Sequence, residues 1–148
     1  MKPGIPQVTL SSEIARKIEE KMSHTIKGIE ETLNEILRRG EIEFTEFKAM
    51  LESLEPGFTL LSQKWVLEIL YSLLVKGPLG FNELKSLTGA SSRSLSLKLK
   101  SLIKLRYIER RVKTEPPMRT TYYLTEKGKN AALLSLPLIY YIAKTRDE

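Results

Sequence analysis

From Ser11 to Arg39 the apolar residues Ile14, Ile18, Met22, Ile26, Ile29, Leu33, Ile36 and Leu37 recur at spacings of three and four, which predicts one long amphipathic helix. Ser11 or Ser12 suits its N-cap and Gly40 its end, while Glu13, Lys17, Glu20, His24, Lys27, Glu31 and Glu35 fall on the opposite, solvated face. Phe44, Phe47, Met50, Leu51 and Leu54 predict a second, shorter helix with core aromatics, closed by the turn signal Pro56-Gly57. A third runs from about Ser62 to Val75, burying Trp65, Ile69, Leu70, Leu73 and Leu74, and Gly77-Pro78 stops it. After an extended piece at Leu79 to Phe81, Asn82 caps a helix reaching Thr88, with Leu84 and Leu87 inward, and Gly89 supplies a sharp turn.

The next helix, capped by Ser91, carries Leu95, Leu99, Leu102 and Ile103 at i, i+4, i+7 and i+8. Its outer face reads Arg93, Ser96, Lys98, Lys100 and Lys104. Then the period changes from helical to alternating. Ile108, Arg110 and Val112 interleave with Glu109, Arg111 and Lys113, a turn falls at Glu115-Pro116-Pro117, and Thr121 to Leu124 return as a strand. Thr125 caps a final helix in which Pro137 predicts a kink or restart before Leu138 to Lys144. The fold class is mainly α with a small β-hairpin: residues 1–57 form a helical extension, 58–130 the domain holding the hairpin, and 131–148 a C-terminal helix.

Composition removes most chemistry from consideration. None of the 148 residues is a cysteine and only one is a histidine, so thiolate metal sites, cysteine nucleophiles and disulfides are excluded and a protein-only metal site is not expected. Adjacent acidic pairs such as Glu19-Glu20 and Glu30-Glu31 do not face each other on a helix, and no phosphate-loop or triad spacing occurs; no enzyme, cofactor or metal is expected. No apolar run is long enough to span a bilayer, and Met1 to Leu10 lack the regions of a secretion signal, which points to a cytoplasmic protein without a membrane partner.

Charge is informative once divided along the chain. Residues 1–60 carry 8 Lys/Arg against 11 Glu, whereas residues 91–129 carry 11 against 3, although the whole chain is only +6. The basic segment is the one with a helix capped by Ser91, sized for a major groove about 12 Å wide, followed by a hairpin bearing Arg110, Arg111, Lys113 and Arg119. Two helices joined by a short turn containing Gly89, with a basic hairpin after them, make a winged helix-turn-helix that binds double-stranded DNA. The hairpin cations reach backbone phosphates or a minor groove. A winged helix used for contact with protein in a larger assembly is the alternative, and its signature is a neutral or acidic recognition helix.

Lys64-Trp65, Gly77-Pro78, Phe81-Asn82-Glu83-Leu84, the Leu95/Leu99/Leu102 spacing, Glu109-Arg110, and Tyr122 with Leu124-Thr125-Glu126-Lys127-Gly128 resemble the winged-helix transcription regulators of the HxlR type, and more distantly MarR-type repressors, over residues 62–130. The resemblance implies a homodimeric regulator on an inverted-repeat operator, with terminal helices building the dimer. By position, Ser92, Arg93, Ser96, Leu97, Lys98 and Lys100 would face DNA beside the cap Ser91, with Arg110, Arg111 and Arg119 serving the wing. Three features depart from the family: Arg106 replaces a glycine often found after the recognition helix, an early cysteine is missing, and about 60 residues precede the shared region. Thiol sensing is therefore excluded. The Ser11 to Arg39 stripe becomes the expected dimerisation arm, and neither operator nor small-molecule effector is specified.

Overall fold

The computed structural model describes residues 11–148; the expectation about a secretion signal concerns Met1–Leu10, which lie outside that range. In chain order the elements are α1 (Ser12–Arg39), α2 (Phe44–Ser62), α3 (Val66–Lys76), α4 (Phe81–Thr88), α5 (Ser92–Lys104), β1 (Ile108–Lys113), β2 (Arg119–Leu124) and α6 (Glu126–Lys144). Two compact units divide the chain between Glu52 and Ser53.

In the first unit, α1 begins and ends where its sequence asks. The Ser11 hydroxyl accepts the Ile14 N–H at 3.3 Å, and Gly40 takes the left-handed conformation, φ 63°, returning its own N–H to the last turn. Ion pairs one turn apart, Arg39 with Glu35 and Arg16 with Glu20, line its polar side. None of its residues is buried, and Ile26, Ile29, Leu33 and Leu37 are exposed.

The helix α2 corrects two expectations. It does not close at Pro56-Gly57 but continues to Ser62. Proline fixes a helical φ and removes a single N–H, so a helix survives it when later residues anchor the far side. Leu60 is that anchor, being buried in the core. The reversal signalled by Pro-Gly is taken instead at Gln63 to Trp65, where Trp65 holds φ 74° and Val66 N–H returns to the Gln63 carbonyl at 3.2 Å. Nor are the aromatics core: Phe44 is 78% exposed, and among the described residues no apolar side chain before Leu60 is buried. Periodicity specifies an apolar face and leaves open what covers it.

The second unit packs around α3, whose Val66, Ile69, Leu70 and Leu73 are buried against Leu84, Leu95, Leu99, Leu102, Ile108, Tyr122 and Ala132. Each valine, leucine and isoleucine among them contributes about 1.5–3 kcal/mol by leaving water. Trp65 precedes α3 rather than lying within it, and like Leu74 it is half-buried. Gly77 takes φ 80° at the end of α3, and Leu79 then pairs with Tyr122 through two backbone hydrogen bonds of 2.8 and 3.2 Å, adding a one-residue third strand to the hairpin.

The start of α4 is set by Gly80 rather than Asn82, because the Glu83 carboxylate three residues on accepts the Gly80 N–H at 3.1 Å. Its inner face is Leu84 with Thr88, not Leu87, which is 45% exposed. Four residues bring a helix back to the same side and three leave it about 60° short. The Thr88 hydroxyl is buried without cost, donating to the Leu84 carbonyl at 2.8 Å and accepting the Ala90 N–H. Gly89 makes the expected turn at φ 74°.

The hairpin pairs β1 with β2 antiparallel, Ile108 opposite Leu124 and Lys113 opposite Arg119. Arg119 thus belongs to the strand rather than preceding it. Thr125 caps α6 as expected, its hydroxyl accepting the Gly128 N–H at 3.0 Å. The helix passes through Pro137 without restarting; Leu133, whose carbonyl loses its partner there, is exposed and open to water. Tyr71 on α3 and Ser135 on α6 share a hydrogen bond of 2.6 Å.

Candidate nucleic-acid interface

The helix α5 is held by its inner face. Leu95, Leu99 and Leu102 are buried, Ile103 is half-buried, and the Ser91 hydroxyl accepts the Ser94 N–H at 3.1 Å. At about 100° per residue, Arg93, Leu97, Lys100 and Lys104 then fall along one outward line, and all are exposed. Ser92 and Ser96 are exposed beside it, and Leu97 is an apolar residue at 55% exposure among cations.

Lys98 does not join that line. It lies on the flank of α5, half-buried, and its ammonium donates to Gln63 Oε1 at 2.7 Å in the turn between α2 and α3. The sequence pattern assigns it to the outer face because spacing alone cannot separate a flank from an exposed ridge. Gln63 carries no sequence signal that would have found it.

The hairpin divides its cations by strand alternation. Arg111, Lys113 and Arg119 share one face with Glu109, Thr121 and Tyr123, while Arg110 stands on the other beside Val112, on the side where Ile108 and Tyr122 enter the core. Arg111 lies 4.1 Å from the centre of the Tyr123 ring and 3.2 Å from Glu109. Arg119 reaches Glu83 at 2.7 Å, linking the hairpin to the start of α4. Arg93, Lys100, Arg110 and Lys113 have no carboxylate within ion-pair distance among the described residues.

Helix and hairpin share a joint that sequence reasoning missed as such. At the end of α5, Arg106 holds φ 63°, a conformation unfavourable by about 1–2 kcal/mol for a side-chain-bearing residue. The start of α6 clasps this turn: the Thr125 hydroxyl donates toward the Arg106 and Tyr107 carbonyls at 2.7 and 2.9 Å, and Lys127 donates to the Leu105 carbonyl at 2.9 Å. The Lys127 ammonium also stands 4.6 Å from the centre of the Tyr107 ring. Gly128 is buried there, and the position takes glycine because any Cβ would overlap the Tyr107 carbonyl oxygen. The sequence signal was present in Leu124-Thr125-Glu126-Lys127-Gly128, without its mechanical meaning.

Among the described residues no group of His, Cys, Asp or Glu could hold an ion, and no single helix is long and apolar enough to cross a membrane. What the arrangement presents is a ridge of cations and hydroxyls beside a basic two-stranded ribbon.

Comparison with known proteins agrees with that geometry. A family model described as HxlR-like helix-turn-helix matches residues 60–145. The uncharacterized HTH-type transcriptional regulator YvaP of Bacillus subtilis is 36% identical over 100 residues, 67% of this chain and 88% of that protein. The structure of the B. subtilis transcriptional regulator YodB in its reduced form superimposes with a TM-score of 0.56 at 30% identity, covering 61% of this chain and 88% of that one. A transcriptional regulator homologue from Pyrococcus horikoshii OT3 shares the fold, with a TM-score of 0.55 at 17% identity over 61% of this chain and 90% of that one.

Proposed function

The chain belongs to the HxlR-like helix-turn-helix family and is a DNA-binding transcription regulator, and from that premise we propose that it acts as a homodimer on an inverted-repeat operator, reading each half-site with α5. The outward line of Arg93, Leu97, Lys100 and Lys104 over a buried leucine stripe is the observation that carries this reading. The helix start reads base edges: Arg93 is suited to guanine O6 and N7, Ser91, Ser92 and Ser96 to either base edges or phosphate, and Leu97 to a thymine methyl group. Lys100 serves the backbone, and Lys98 acts through its bond to Gln63. Arg110, Arg111, Lys113 and Arg119 bind phosphates or the minor groove without sequence preference.

Two exposed apolar stripes support a dimer. One is α1, with Ile26, Ile29 and Leu33, and the other is α6, with Leu134, Leu138 and Tyr141. We assign the arm role to the N-terminal extension, residues 1–57, through α1, since a helix of 28 residues with none buried has no core to serve. In the full chain, Ile29→Asp is expected to sediment as monomer; dissociation by Leu138→Asp alone would move the dimer seam to α6.

Selection of bound sequences from random DNA tests the whole reading. A recovered palindrome with half-site centres about 10–10.5 base pairs or a multiple apart is the expected result. Recovery of no enriched sequence at moderate salt would overturn base reading by α5. YodB is known in reduced and diamide-treated forms, whereas none of the 148 residues here is a cysteine, so these residues offer no thiol to such a reagent.

A further inference from the structure

One carboxylate, Glu83, ties the start of α4 to the basic hairpin. Glu83 Oε1 is 3.1 Å from the Gly80 N–H and 2.7 Å from Arg119 Nη2, so a single oxygen joins the start of α4 to the first residue of β2. The backbone at Glu83 is anchored by the next residue, Leu84, which is fully buried. An ideal Cβ at Gly80 would stand only 3.3 Å from the same oxygen, so glycine leaves the carboxylate room to turn toward the hairpin.

The side chains of Arg119 and Glu83 are 61% and 50% exposed, and ion pairs that exposed contribute little to folding. The consequence of this pair therefore lies in where it holds Arg119. That residue opens β2 directly after the hairpin tip, opposite Lys113. A long, flexible side chain at the end of a two-stranded ribbon loses considerable rotamer freedom on meeting a phosphate. One held beforehand loses less, and a guanidinium with five N–H donors can be held by one and still offer others.

We propose that Glu83 is a positioning residue for DNA binding: it presets the Arg119 guanidinium at the junction of α4 and the wing, so that its remaining N–H groups meet a backbone phosphate already oriented. This rests on the reading that the wing contacts DNA. It also fixes the sign of an effect that net charge alone would reverse. Removing an acidic group from a DNA-binding surface by itself strengthens binding, whereas removing this one costs affinity.

The test is DNA affinity across a salt series for the full chain and five variants. Arg119→Ala is expected to weaken binding to operator and unrelated DNA alike by about fivefold, with a salt slope shallower by about one. Glu83→Ala should weaken binding by a similar factor, and adding it to Arg119→Ala should cost nothing further. Glu83→Gln keeps the reach and the acceptor oxygen without the charge, and should bind at least as tightly as wild type. Glu83→Asp keeps the charge and suits a helix start but is one methylene shorter, and should weaken binding like Glu83→Ala.

Wild-type affinity and slope in Glu83→Asp, together with a weakened Arg119→Ala, would overturn the positioning role and leave the wing contact standing. So would a Glu83→Ala penalty that persists in full on the Arg119→Ala background. If Arg119→Ala itself binds as wild type does, the wing contact fails, and this inference with it.

Discussion

The helices α1 and α5 carry apolar stripes of the same kind, recurring at three and four, yet one has no buried residue and the other has Leu95, Leu99 and Leu102 sealed in a core. The difference is not in the stripe but in the company it keeps. The α5 stripe meets a core built from α3, α4, the hairpin and α6, which fixes the direction of its opposite, basic face. On α1 the polar face mixes Glu with Lys and Arg, and the apolar face remains available. On the proposed reading, α5 serves the groove because its orientation is settled, and α1 serves self-association because its apolar face is exposed.

The sharpest way to break the core-backed half is at Gly128. Gly128→Ala drives a Cβ into the Tyr107 backbone, which cannot yield as a side-chain tip would, and should lower stability by about 3 kcal/mol or more. A denaturant melt within about 1 kcal/mol of wild type would show that the clasp is looser than its geometry.

Matched substitutions then test the comparison directly. Leu99→Ala should destabilise by about 2–5 kcal/mol at any protein concentration. Leu33→Ala, at an exposed site, should shift the melt of the dilute monomer by less than about 0.5 kcal/mol while weakening self-association in sedimentation. Equal losses in the two would erase the distinction drawn between arm and core.

Within the basic surface, Arg93→Ala should cost about 1–3 kcal/mol of operator affinity and relax preference at one base pair. Arg111→Ala should instead weaken all sequences evenly and flatten the salt dependence, because phosphate contacts act through released counterions. Indistinguishable salt slopes for the two would remove the division of labour between helix and wing.

The smallest expected effect has the opposite sign. Arg106→Gly relieves a left-handed conformation imposed on a side-chain-bearing residue, and should raise stability by up to about 1 kcal/mol in the same melts. A lowered melting point would mean that the Arg106 side chain contributes more than its backbone loses.

These contrasts also show which parts of the molecule were legible in its sequence. Caps and periods are local, so Ser11, Gly40, Gly89, Ser91 and Thr125 stand where expected, and so do the α5 stripe and the change to strand alternation. The misreadings are of non-local origin. Pro56-Gly57 signals a reversal that the chain makes only at Trp65, because burial of Leu60 carries α2 onward. Phe44 and Phe47 have the pattern of a core without one to enter. The partners of Lys98 and Arg119 left no local trace either, since Gln63 and Glu83 lie 35 and 36 residues away in sequence and at hydrogen-bond distance in space.

The clasp of Thr125 on the Arg106 and Tyr107 carbonyls has a consequence for how the hairpin can vary. A slip of one residue would turn Tyr122 from core to solvent and carry Thr125 off its partners, so the register is locked at the base of the ribbon. The five residues 114–118 that join the strands are relieved of that duty. Changes of length or sequence at the tip are therefore expected to leave α5 and the base of the hairpin in place, which melts of tip variants would check.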